Sequence, residues 1–344
     1  ALSQGSGYLD AAGLAGFMAS RLAQSDLLRL LEQAAGFVSG EQLSRTLGVS
    51  RTAVWKRIAV LRDAGYGIEA LPSQGYRLVT RPDLLSADQL AVGLSSTCLI
   101  GQRLVCLDEV GSTNLEAFRL AEAGAVEGTT VLAERQTAGK GRLGRQWVSP
   151  GGVNLYLSVV LRPELPPYEA PQLTFLSAVA VARTIEELTS LQPAIKWPND
   201  LLLDNRKVAG LLNEMSAETD RVAFVILGIG VNLNMTADQF PDDLRTPATS
   251  LAVASGRPVS RVTFAARLLS NLDQEYARFC ASGFGPVRDE WARRCNAFGR
   301  QVAVTVGNQT LQGPFAGIDH DGALLLRLPD GGLERIMSGD VSVV

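Results

Sequence analysis

The sequence predicts a multidomain α+β chain. A small helical module with a two-stranded wing spans residues 21–82, a mixed α/β domain spans 83–296, and short strands fill 297–344, behind a Gly/Ser/Ala-rich leader of residues 1–20. Three observations lead there. The length of 344 residues allows two or three domains. Positive charge is concentrated in residues 21–82, where nine cationic side chains face five anionic ones, so this segment carries +4 and the rest −7. The apolar pattern changes along the chain from helical spacing, to continuous runs, to short runs between turn residues.

Composition removes several classes. With 46% apolar and 19% charged residues the chain is globular rather than disordered. No stretch approaches the ~18 apolar residues of a membrane helix, so no membrane partner is expected. His320 is the only histidine, which excludes a two-histidine metal site and leaves one candidate for any His-dependent nucleophilic catalysis. Cys98, Cys106, Cys280 and Cys295 form no CxxC pair, so neither a zinc ribbon nor a disulfide framework is supported. Residues 1–19 carry one charge, Asp10, and no basic segment, so they do not read as a secretory signal, and Met18 offers an alternative start. The cytoplasm is the expected address.

In the basic module, Leu27, Leu28, Leu30 and Leu31 line one face of a first helix. Ser39 and Gln42 stand at capping-box spacing before a second helix reaching Leu47. Gly48-Val49-Ser50 makes a tight turn, with Ser50 placed to cap a third helix. Val54, Ile58 and Leu61 recur at helical spacing and face the core. Arg51, Thr52, Trp55 and Lys56 are left outward and, with Arg57, form the candidate DNA-reading set of a helix-turn-helix. Strands at Ile68–Leu71 and Tyr76–Val79, around Pro72-Ser73-Gln74-Gly75, complete a winged helix. The plainer reading is a three-helix module with a solvated basic face. A DNA-binding role implies a dimer on a two-fold site.

Arg81-Pro82-Asp83 reads as a linker, and the α/β region follows. Its most informative stretch is Gly139-Lys140-Gly141-Arg142-Leu143-Gly144-Arg145-Gln146-Trp147, where three glycines permit close wrapping of a ligand and three cations call for an anionic one. Gly139, Gly141 and Gly144 fit GxGxxG, but no helix follows; instead a strand-like run extends from Leu155 to Leu161. Gly139 and Gly144 also have P-loop spacing, yet Arg145 and Gln146 replace the required Lys and Ser/Thr. A mobile phosphate-closing loop is favoured over a plain surface loop.

Lys196-Trp197-Pro198-Asn199-Asp200 follows a short strand, which puts Lys196 near a sheet end, where ligands bind in α/β folds. Lys196 suits a carboxylate or phosphate, and Asp200 could hold a hydrated Mg²⁺. A Pro-Asn-Asp turn with a solvated lysine is the alternative. Lys207-Val208-Ala209-Gly210-Leu211-Leu212 pairs with Leu201–Leu203 through the Asp204-Asn205-Arg206 turn. The apolar run Phe224 to Asn232 marks a strand covered on both faces. Its Gly228 and Gly230 point either to a closely approaching ligand or to a bulge. Ser112-Thr113-Asn114 suits a ureido or amide head, or an N-cap before a helix from Leu115 to Ala123.

These motifs, in this order, resemble those of biotin–protein ligases. With the winged helix, the chain is similar to the bifunctional type that also represses the biotin operon, over nearly everything from Ser25 to Val344. The resemblance implies a central domain of the lipoate/biotin ligase kind. It implies ATP and biotin as substrates with Mg²⁺, formation of biotinyl-5′-adenylate, and transfer to a lysine of a biotin carboxyl carrier protein. The implied biotin-binding set is Ser112, Thr113, Asn114, Gln136, Lys140, Gly141, Arg142 and Lys196, with Lys196 and Arg142 catalytic. The implied nucleotide set is Arg142, Arg145, Trp147, Asn199, Asp200, Lys207, Gly210, Gly230 and Asn232. Phe240 in a loop from Asn234 to Thr249 is the candidate to stack on adenine. Operator DNA of biotin synthesis genes and an adenylate-bound homodimer are the implied partners. The family often has arginine where Lys140 stands. A lipoate–protein ligase and a biotin-sensing regulator without turnover are the alternatives.

Strands at Val302–Val306, Leu311–Ile318, Ala323–Leu328 and Glu334–Met337, with turns at Asp321-Gly322 and Asp330-Gly331, close the chain and resemble the SH3-like barrel of such ligases. His320 beside one turn is expected at the surface.

Overall fold

The computed structural model describes residues 26–63, 65–95, 97–244, 246–307 and 309–343. The expected leader of residues 1–20 lies outside the described residues. The chain divides into two compact units, one ending at Asp83 and the other beginning at Leu84.

The first unit contains helix α1 (residues 26–33), α2 (Gly40–Leu47) and α3 (Arg51–Asp63), followed by strands β1 (Gly67–Leu71) and β2 (Gly75–Thr80). The second and third helices start for local reasons. Ser39 Oγ accepts from Gln42 N at 3.1 Å, and Ser50 Oγ accepts from Ala53 N at 3.2 Å, satisfying N–H groups that the first turn leaves open. Gly48 ends α2 in the left-handed region (φ 65°), which turns the chain into α3. Leu27, Leu31, Leu43, Val54, Ile58, Leu61 and Ile68 form the core of the unit. The antiparallel wing is fastened by reciprocal bonds between Val38 and Tyr76 at 2.8 and 2.9 Å. A Cβ on Gly75 would fall 2.0 Å from Val38 O, so the wing can dock there only with glycine.

The second unit is built on a seven-stranded mixed sheet. Its elements, in chain order, are α4 (Ala87–Ala91), β3 (Leu104–Val110), α5 (Thr113–Glu122), β4 (Thr130–Gln136), β5 (Leu155–Leu161), α6 (Gln172–Thr189), β6 (Ala194–Lys196), β7 (Asp200–Leu203), β8 (Arg206–Ala217), β9 (Val222–Val231), α7 (Leu251–Ser255), α8 (Arg261–Ser282) and α9 (Gly285–Arg294). The strand order is β3-β4-β5-β9-β8-β7-β6, with β3 parallel to β4 and every other pair antiparallel. Helix α5 covers one face through Ala117, Ala121 and Phe118, which pack with Val131, Val160, Phe224 and Ile226. Helix α6 covers the other, with α8 packed on α6 and α9 reaching the β6 edge. Strands β5 and β9 are therefore apolar along their length, as expected for strands packed on both sides.

A five-stranded antiparallel sheet follows: β10 (Gln301–Val306), β11 (Gln309–Ile318), β12 (Leu324–Arg327), β13 (Leu333–Ile336) and β14 (Asp340–Val343), in the order β13-β12-β11-β10-β14. The last strand is not expected from the sequence; Gly339 and a four-residue length hide it from pattern reading. The sheet is continuous with the large core. Val302, Val304, Phe315, Leu324 and Leu326 join the cluster around Phe175 and Trp291, and Trp197 Nε1 donates to Gly322 O at 3.0 Å. His320 is exposed, as expected.

Candidate active site

Two adjacent rows of the sheet form the floor of the site. Ser158, Gly228 and Leu212 lie side by side on β5, β9 and β8, and so do Tyr156, Gly230 and Gly210. The glycines leave room for side chains laid across the strands. A Cβ on Gly228 would meet Asn114 Oδ1 at 2.1 Å, and Cβ atoms on Gly230 and Gly210 would meet the Trp147 indole at 2.6 and 2.8 Å. The register runs through both β9 glycines without a shift, so the bulge alternative is wrong; the groups pressed against this strand are the chain's own Asn114 and Trp147.

Asn114 stands at the start of α5, buried with Ser112 and Thr113. The helix begins at Thr113 rather than Leu115, with Ser112 at the N-cap position but making no side-chain cap bond. The polar run is tied instead to neighbouring strands. Gln136 Oε1 accepts from Thr113 N at 2.8 Å and Thr113 Oγ1 at 3.1 Å, and its Nε2 donates to Ser149 Oγ at 3.0 Å. Asn114 Nδ2 donates to Leu212 O (3.0 Å) and Glu214 Oε2 (2.8 Å), while Asn114 Oδ1 accepts from Ser158 Oγ at 2.6 Å. Ser112, Thr113, Asn114, Gln136 and Lys140 line a small cavity floored by Gly228 and Gly230.

A larger cavity of about 250 Å³ lies beside it, lined by Arg142, Arg145, Lys196, Asp200, Lys207 and Asp340 among others. Gly141, Arg142, Trp147, Asn199 and Lys207 line both. In the glycine loop, a short 3₁₀ turn at Arg142–Gly144 replaces the helix that a dinucleotide motif would open. Arg142 Nη1 donates to Asn199 Oδ1 at 3.2 Å, and Asn199 Nδ2 donates to Leu211 O at 2.7 Å. Burial lowers the pKa of the Arg142 guanidinium, with Asp340 and Asp200 opposing and Arg145 adding to the effect. Arg145 is hydrogen-bonded to Asp340, which raises its pKa.

Lys207 Nζ lies 2.6 Å from Asp200 Oδ1 and 5.3 Å from the centre of the Trp147 ring. The β7–β8 hairpin that presents it turns through Asp204 (φ 49°) and Asn205 (φ 61°), short polar residues that tolerate this region. Asn232 is buried, with Nδ2 donating to Thr249 O (3.1 Å) and Oδ1 accepting from Asn154 (3.4 Å), so it fixes the root of the 234–249 loop. From that loop Met235, Phe240, Pro241 and Leu244 give the larger cavity an apolar wall.

In the first unit, Arg51, Thr52, Trp55 and Lys56 are exposed on α3. Arg57 is half-buried and falls on the other side of the core stripe from these four. Arg51 is paired with Glu41 at 2.6 Å.

Known proteins with this arrangement are informative. The model of the Biotin/lipoate A/B protein ligase family matches residues 109–232, that of the HTH domain 23–77, and that of the Biotin protein ligase C terminal domain 297–344. The bifunctional ligase/repressor BirA of Bacillus subtilis (strain 168) is 42% identical over 321 residues, covering 93% of this chain and 98% of that protein. The chain belongs to the bifunctional ligase/repressor family. The Escherichia coli (strain K12) member is 35% identical over 308 residues, covering 89% of this chain and 93% of that protein. Among solved structures, the biotin protein ligase from Aquifex aeolicus in complex with biotin and ATP superposes with a TM-score of 0.61 at 30% identity, covering 71% of this chain and 99% of that one.

Within this family member, the fold brings together every ligand-binding residue expected from the sequence: each lines one cavity or both. Two neighbours escape sequence reading. Asp340 sits on the unexpected strand. Glu214 follows Gly210 and Leu212 at alternate positions of β8, a period-2 signal that the sequence does carry.

Proposed function

We propose that this chain joins biotin to ATP, forming biotinyl-5′-adenylate, and transfers the biotinyl group to a lysine of a carboxyl carrier protein, while its winged helix binds the operator of biotin synthesis genes. The observation that carries this reading is the wall shared by the two cavities. A small polar pocket suited to a ureido ring and a cationic chamber suited to a triphosphate meet at Arg142, Asn199 and Lys207.

In the first step a biotin carboxylate oxygen attacks the α-phosphorus, forming the mixed anhydride, and pyrophosphate leaves. In the second the carrier's lysine amine attacks the acyl carbon and AMP leaves. Charge builds on the α-phosphoryl oxygens and pyrophosphate, so the cations Arg142 and Lys196 serve as the electrostatic stabilisers. Half-burial makes the Arg142 charge costly to hold, and an anion beside it relieves that cost. Arg145 and Lys207 serve the nucleotide, and the backbone at Gly210 and Gly230, which lines the small cavity beneath Trp147, serves it where the two cavities meet. The Gly139–Trp147 and Asn234–Thr249 segments exclude water from the anhydride, and Phe240 is placed to cover adenine.

Mg²⁺ asks for one or two carboxylates, with phosphate and water completing its shell. Asp200, a carboxylate among these cations, fits a metal that arrives with the nucleotide. When bound, Mg²⁺ supplies charge neutralisation at the phosphates, and Asp200 would hold it in exchange for Lys207.

The free thiols Cys98, Cys106, Cys280 and Cys295 accord with a cytoplasmic address. No helix among the described residues is long and apolar enough to cross a membrane. DNA reading by the exposed Arg51, Thr52, Trp55 and Lys56, with half-buried Arg57 on the same helix, and dimerisation on adenylate binding complete the proposal.

The test is biotin-dependent exchange of pyrophosphate into ATP. The parent chain is expected to exchange with biotin, and Arg142→Ala and Lys196→Ala to lose about 10²–10³-fold in rate. Exchange with lipoate alone, or biotin binding without exchange, would replace this reading with a lipoate ligase or a pure sensor.

A further inference from the structure

Among the described residues, Glu214 is the carboxylate bonded to two walls of the small cavity without lining that cavity itself. Its Oε2 accepts from Asn114 Nδ2 at 2.8 Å, and its Oε1 lies 3.6 Å from Lys140 Nζ. Asn114 comes from α5 and Lys140 from the glycine loop, so one side chain on β8 ties two separate segments.

The consequence for Asn114 follows from donor and acceptor arithmetic. Both Nδ2 hydrogens are taken, by Leu212 O and Glu214 Oε2. Oδ1 accepts from Ser158 and keeps one lone pair. With the amide turned over, Oδ1 would face a carbonyl oxygen and a carboxylate, acceptor against acceptor, while Nδ2 would face Ser158. Leu212 and Glu214 therefore select the rotamer in which Asn114 shows its acceptor, and that end recognises a ligand N–H. The empty space above Gly228 is what lets the amide lie in this row at all. Lys140 is the second beneficiary. An unbranched ammonium makes no planar fork with a carboxylate, so its place depends on a point attraction such as Glu214 provides.

We propose that Glu214 is a positioning residue for ligand recognition: it orients the Asn114 amide to accept from a ureido N–H and anchors Lys140 at the rim of the same cavity. This inference rests on the biotin-binding reading above.

Isothermal titration of the full chain with biotin, alongside pyrophosphate-exchange kinetics, tests it. Glu214→Ala is expected to weaken biotin binding about tenfold or more, with kcat and the KM for ATP changing less than about threefold. In an Asn114→Ala background the same change is expected to cost less than about threefold, because the hydrogen-bonded partner is gone and only the 3.6 Å ion pair to Lys140 remains to be lost. Glu214→Gln preserves volume and can still accept from Asn114, but turns its NH₂ toward Lys140; about threefold weaker binding is expected, and this variant decides the matter if Glu214→Ala does not fold. Unchanged biotin affinity in the variants, or an equal loss in both backgrounds, overturns the role of Glu214 while leaving the biotin site standing. Absence of biotin binding by the parent chain overturns both.

Discussion

Arg145 in the glycine loop is hydrogen-bonded through two guanidinium nitrogens to the carboxylate of Asp340 in the final strand, 195 residues away in sequence. The terminal sheet thus supplies an anchor for a loop of the central domain. Asp340→Ala is expected to speed amide exchange across residues 139–147 and to raise the KM for ATP about three- to tenfold, the KM for biotin changing less. Hydrogen-exchange mass spectrometry and steady-state kinetics check it; an unaltered loop would mean Arg145 is held by other contacts.

A methyl group on Gly230 would stand 2.6 Å from the Trp147 indole. Gly230→Ala should therefore displace the ring and cost about 1–3 kcal/mol. Urea titration reads the cost, and a shift of tryptophan emission reads the displacement. Wild-type stability and emission would show that the strand backbone yields instead.

Asp319 couples stability to pH. Burial pulls its carboxyl pKa upward, but the Arg335 pair and bonds from Asp321 N (2.8 Å) and Ala323 N (3.0 Å) outweigh that, and the net shift is downward. A lowered folded-state pKa means that the unfolded chain binds the proton more readily. The stabilisation is complete above the unfolded value near 3.9 and disappears as pH falls through the folded value. Asp319→Asn is thus expected to melt lower than the parent at pH 7, with the gap closing in acid as the pH falls below the unfolded value. A gap of equal size at both pH values would assign the loss to packing rather than charge.

On α3, Lys56 offers the cleaner test of DNA reading, since removing Arg51 also releases Glu41. Every DNA phosphate that a variant ceases to neutralise should flatten the slope of log K against log salt by about 0.9. Lys56→Ala and Arg51→Ala are expected to show this in fluorescence-anisotropy titrations with operator DNA while making adenylate at the parent rate. An unchanged slope would move the interface off this helix.

Much of the molecule is legible in the sequence because local chemistry determines it. The Ser39 and Ser50 caps, the Gly48 turn, the Asp204-Asn205 hairpin and the apolar β9 each depend on a few neighbouring residues. What the sequence hides depends on distant partners. The Ser112-Thr113-Asn114 run reads as a cap, yet the Ser112 side chain makes no cap bond, and the Thr113 N–H goes to Gln136 on β4. Gly228 and Gly230 signal a close approach, but only the fold reveals that Asn114 and Trp147 make it. Asp340 lies on a short strand held by pairing with β10 rather than by any pattern of its own.

The hydrogen bond from the Trp197 indole to Gly322, with the core that runs from Phe175 into Phe315, has a practical bearing on engineering. Trimming the polypeptide after α9 would strand a donor and bare aromatic surface beneath the KWPND segment. A shortened version of this chain must keep its tail.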